Sequence, residues 1–102
     1  MITEIEQHRD ELAELCRRHY VRRLALFGSA TDGTFDPARS DFDFLVDFAP
    51  HPTGGRAAAY FGLLEDLGAL FGRSIDLVET SAIRNPYFRA AVNETQVLLY
   101  AA

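Results

Sequence analysis

The chain has 102 residues, 48% of them apolar and 25% charged, which is the length of one domain and a composition that excludes disorder. Fifteen acidic against ten basic residues leave a formal net charge of −5, a field that repels polyanions, so nucleic acid is not the expected direct partner. Cys16 is the one cysteine and makes no internal disulfide, no apolar run reaches the ~20 residues of a membrane span, and the charged stretch behind Met1 does not read as a signal segment, so a cytoplasmic protein is expected.

Thr3 with Glu6 matches a capping box, and Ile5, Leu12, Leu15 and Cys16 recur at helical spacing, predicting one helix as far as about His19. Leu24–Phe27 is a short apolar run that ends at Gly28, predicting a buried strand and a turn. The polar stretch Ala30–Ser40, with Gly33, Asp36 and Pro37, predicts one or two helical turns and a loop. Asp41–Phe48 alternates acid and hydrophobe, predicting a strand with one wet face. After a loop at His51–Gly55, Tyr60, Phe61, Leu63, Leu64, Leu67, Leu70 and Phe71 mark an amphipathic helix stopped by Gly72. Ser74–Glu79 reads as a strand, Asn85-Pro86 as the start of a helix, and Gln96–Tyr100 as a closing strand. Helix and strand alternate four times, which predicts a single small α/β (α+β) domain over residues 1–102, with a mixed β-sheet flanked by helices.

Asp41 and Asp43 are the most informative pair, because residues i and i+2 of a strand project from one face and set two carboxylates side by side. Like charges so placed call for a divalent cation or for exposure at a sheet edge, and magnesium suits oxygen ligands of this kind. Taken alone, the pair reads equally well as a solvated strand face. Gly28-Ser29 stands after a strand and before a predicted helix, where unsatisfied amides bind phosphate, although such a dipeptide is also an ordinary turn and cap. Asp76, within Ile75-Asp76-Leu77-Val78, is a charge expected to be costly in an apolar strand without a partner. If its strand lies beside that of Asp41 with matching parity, three carboxylates converge; Glu79, the competitor for this role, is explained by exposure at the strand end.

Leu26-Phe27-Gly28-Ser29, then Asp41-Phe42-Asp43-Phe44-Leu45-Val46, then Ile75-Asp76-Leu77-Val78, together resemble the minimal nucleotidyltransferases of the DNA polymerase β superfamily. The resemblance extends over almost the whole chain and implies the nucleotidyltransferase fold. It implies that Gly28 and Ser29 hold a nucleotide triphosphate, that Asp41 and Asp43 ligate two magnesium ions, and that Asp76 ligates the catalytic ion and helps deprotonate the attacking hydroxyl. Many relatives carry Arg after Gly-Ser, whereas Ala30 stands here; Arg39 is the residue that would supply the positive charge. The implied activity moves AMP from ATP to a hydroxyl, and the implied acceptor is a tyrosine of a HEPN-type toxin for which this chain is the antitoxin. Two alternatives stay open: a binding module that neutralises a partner, and a subunit that modifies small molecules or RNA. A homo- or hetero-oligomer fits each. Tyr87, Phe88 and Tyr100 are candidates for a partner contact if exposed, but are expected to pack internally. His8 and His19 read as surface or boundary residues, and Arg17, Arg18, Arg22 and Arg23 as a solvated helix end or a docking patch.

Overall fold

The computed structural model describes residues 3–28, 31 and 41–102. Helices α1 (Thr3–Gln7) and α2 (Arg9–Arg18) lead into strand β1 (Val21–Phe27). Strand β2 (Phe42–Phe48), helix α3 (Arg56–Phe71), strand β3 (Ile75–Glu79), a 3-10 turn (Thr80–Ala82), helix α4 (Pro86–Thr95) and strand β4 (Val97–Ala101) follow. The sheet runs β3-β2-β1-β4, with β2 parallel to β3 and β1 antiparallel to both β2 and β4, which is the mixed sheet expected. Of the helical turns expected in the Ala30–Ser40 segment only Thr31 is described; Ser29 and Arg39 also lie outside the described residues.

Strand parity divides the interior into two cores. Leu24, Leu26, Phe42, Phe44, Val46 and Leu77 meet Ile5, Leu12, Cys16, Leu63, Leu67 and Phe71 from the first three helices in the larger one. The Phe71 ring meets the Phe42 ring edge-on at 5.1 Å, a contact worth about 0.5–1.5 kcal/mol beyond its area. On the other face Ala25, Phe27 and Leu45 are covered by Ile83 and by Val92 of α4. Burial on both faces is why Leu24–Phe27 reads as an unbroken apolar run, and why β2 is not the simple wet-faced strand its alternation suggests. Leu45, between Asp43 and Asp47, is buried.

The single first helix expected is two. The His8 N–H closes on Ile5 O at 3.1 Å, a tighter i−3 bond that ends α1, and His8 O accepts from Leu12 N at 2.9 Å to start α2. Strand β1 begins at Val21 rather than Leu24, since pairing with β2 continues through the charged Arg23 to Val21 opposite Phe48. At the other end of the chain Asn85 Oδ1 accepts from the Tyr87 and Phe88 amides at 2.9 and 3.2 Å and caps α4, with Pro86 at its first position. No helix among the described residues is long and apolar enough to cross a membrane.

Candidate active site

The carboxylates gather at one end of the sheet because of register. Asp43 pairs with Phe27 on β1 and with Asp76 on β3, so Asp43 and Asp76 lie side by side on the face that carries the smaller core. Asp41, just ahead of β2, is exposed, Asp43 is half-buried, and Asp76 is exposed. Asp76 was expected to be costly in an apolar strand without a partner; β3 is an edge strand and Asp76 is exposed, which lowers that cost.

Gly28 follows β1 with φ +75°, a conformation that L side chains rarely adopt. A Cβ there would collide with Asp43 Oδ2 and stand 3.1 Å from its Cγ, so the Gly28 backbone packs directly on the Asp43 carboxyl. The Thr31 amide and hydroxyl both donate to Gly28 O, at 2.9 and 2.8 Å, and hold this turn.

Electrostatic strain concentrates on Asp43. Burial first, then the charges of Asp76 and Asp41 and a hydrogen-bonding contact with Asp76, push its pKa up from 3.8 to about 6. Among the described residues no three His, Cys, Asp or Glu side chains are arranged to enclose a metal ion. The donor set fits magnesium, which typically takes one or two carboxylates and completes its shell with water and substrate phosphate oxygens. A cation here would also relieve the repulsion that Asp43 feels from its neighbours.

The first turn of α4 borders the site. The Phe88 ring stands edge-on to Phe27 at 6.1 Å, and Phe27 is the cross-strand neighbour of Asp43. Internal packing was expected for Tyr87 and Phe88, yet Tyr87 is 86% exposed and Phe88 42%. Both follow directly from the cap at Asn85, which fixes the helix start while Val92 is the α4 residue that takes the buried position. Tyr100 does pack, against the larger core.

Sequence reasoning passed over Tyr60, which reads there as one more apolar position of α3. Its hydroxyl donates to Leu77 O at 2.5 Å, pinning the strand residue next to Asp76. Burial, then the charges of Asp76 and Glu79, raise its pKa. Glu79 is not simply exposed, as expected, but is ion-paired with Arg56, which also donates to Ser81 Oγ at 3.2 Å. Arg56, Tyr60, Phe61, Leu77, Val78 and Ala82 line a groove of about 530 Å³ along the β3 edge. Away from the site, His19 Nε2 meets Asp66 Oδ2 at 2.6 Å and Arg18 reaches the same oxygen at 3.3 Å, tying α2 to α3.

The profile of the nucleotidyltransferase domain family matches residues 5–98, and the chain belongs to that family. It is 34% identical over 87 residues to the protein adenylyltransferase MntA of Thermococcus cleftensis, covering 85% of this chain and 81% of that protein. A candidate protein adenylyltransferase of Methanocaldococcus jannaschii is 32% identical over 90 residues, covering 88% and 85%. Among solved structures, one described as a minimal nucleotidyltransferase superposes with a TM-score of 0.74 at 28% identity, covering 90% of this chain and 89% of that one. The Shewanella oneidensis complex of a tri-AMPylated HEPN toxin with its MNT antitoxin gives a TM-score of 0.66 at 18% identity, covering 96% and 73%, a likeness of fold.

Proposed function

We propose that this nucleotidyltransferase moves AMP from ATP to the hydroxyl of a protein acceptor, a tyrosine of a HEPN-type toxin that it thereby neutralises. The observation that carries this reading is the juxtaposition of Asp43 with Asp76 across β2 and β3, closed from above by the Gly28 backbone. The relatives support the acceptor class: MntA of Thermococcus cleftensis is named a protein adenylyltransferase, and the Shewanella toxin carries AMP in its complex with the MNT antitoxin.

In this reading Asp41 and Asp43 would hold two magnesium ions, with Asp76 as a further ligand of the catalytic one. The chemistry that magnesium supplies when bound is neutralisation of the triphosphate and acidification of the attacking hydroxyl. The chain's own groups do the rest. Gly28, bare of a side chain, lets a phosphate approach its backbone, with Ser29 donating a hydroxyl and Arg39 a positive charge to the triphosphate. Asp76, exposed at the sheet edge, is open to an incoming acceptor and takes its proton. A half-buried Asp43 packed against the Gly28 backbone keeps the carboxylates in place before substrate arrives, so little reorganisation is needed.

Calorimetric titration of ATP separates this reading from a module that only binds a partner. Heat that requires magnesium and disappears in Asp43→Asn is expected, and no heat at millimolar ATP would leave the binding module.

A further inference from the structure

We infer that Tyr87 is a site of self-adenylylation, a modification that rests on the adenylyl transfer proposed above. Four tyrosines are present, and their environments separate them. Tyr60 has its hydroxyl bonded to Leu77 O, and Tyr100 is packed against the larger core. Tyr20 is 42% exposed, but it precedes Val21 at the far end of β1, whereas the carboxylates sit beside Phe27. Seven strand residues at about 3.3 Å each put roughly 20 Å between those ends. Tyr87 alone combines an open side chain, 86% exposed, with a place at the site, because the next residue, Phe88, rests on Phe27. Its amide is held there by the Asn85 cap, while its side chain is exposed.

The reaction needs no component beyond ATP, magnesium and the site itself. The Tyr87 hydroxyl oxygen bonds to the α-phosphorus, the bond from that phosphorus to the oxygen bridging to the β-phosphate breaks, and pyrophosphate leaves. The phenolic proton passes to a carboxylate of the site and then to water. An AMP group on Tyr87 adds negative charge and bulk beside the carboxylates, so modified protein is expected to accept ATP less readily.

The test uses the full chain with ATP and magnesium, alone and beside its helical HEPN-type partner, read by intact mass and peptide mapping. One AMP-sized increment at Tyr87 is expected, absent from Tyr87→Phe and from Asp43→Asn and retained by Tyr20→Phe. An increment undiminished in Tyr87→Phe overturns the assignment. So does a modified partner beside an unmodified chain, which leaves adenylyl transfer itself standing. No increment on either protein overturns both.

Discussion

Asp43→Asn is expected to make the protein more stable at pH 8 while abolishing transfer. Folding lifts the Asp43 pKa from 3.8 to about 6, chiefly by burial and then through Asp76 and Asp41, so the folded chain holds that proton more tightly than the unfolded one. The sign is the reverse of a salt-bridged carboxylate. The stabilisation that comes with the proton is complete below pH 3.8 and is lost as pH rises through about 6, leaving an ionised, partly desolvated Asp43 above that. Two pKa units correspond to ~3 kcal/mol, and because the carboxyl keeps contact with water, screening reduces this to about 1–2 kcal/mol. Asparagine has the same shape and no charge, so it should recover that amount above pH 7 and almost none of it near pH 4. Urea unfolding of both proteins at pH 5 and pH 8 without divalent ions measures the difference, and a melting-temperature gain of about 4–8 °C per kcal/mol accompanies it for a domain of this size. The reasoning fails if the variant is no more stable at pH 8, or if its gain is the same at both pH values. Magnesium should narrow the gap by stabilising only the wild type.

Gly28→Ala should cost at least about 1–3 kcal/mol and most of the activity, because φ +75° strains any side chain and the new Cβ meets the Asp43 carboxyl; urea unfolding and AMP transfer check it. Asp66→Asn should destabilise by about 1 kcal/mol at pH 7 by weakening the partners His19 and Arg18. Those partners, His19 first, lower the Asp66 pKa, so this loss should vanish as pH falls through the folded carboxyl's value, a trend opposite to that of Asp43 and readable in the same urea series. Asn85→Ala should cost about 1 kcal/mol through the lost cap of α4 and slow any labelling at Tyr87, as mass spectrometry would show. Cys16, fully buried with its thiol pushed up to about 12 by burial, should react with thiol reagents only on unfolding.

The Asp41–Asp43 pair was legible in the sequence because alternation is a local property, and the Gly28 turn because it ends an apolar run. That Asp76 pairs with Asp43 was conditional on strand parity, which only the β2–β3 register decides. Exposure was harder to read. Asp76 looks buried from its apolar neighbours, yet sits on an edge strand, and Tyr87 looks like core in a helix that buries Val92. Tyr60 was hidden because its ring belongs to the apolar stripe of α3, while its hydroxyl finds a carbonyl 17 residues away. The break at His8 depends on one i−3 bond, too local for periodicity to show, and Ser29 and Arg39 lie outside the described residues.

The most direct test of adenylyl transfer by the carboxylate site is incorporation of AMP from α-labelled ATP into the proposed HEPN-type partner, with magnesium, by the wild type and by Asp41→Asn. Label on a partner tyrosine from the wild type, with none from the variant, is the predicted result; equal labelling by both proteins, or none by either although the two chains associate, would contradict it.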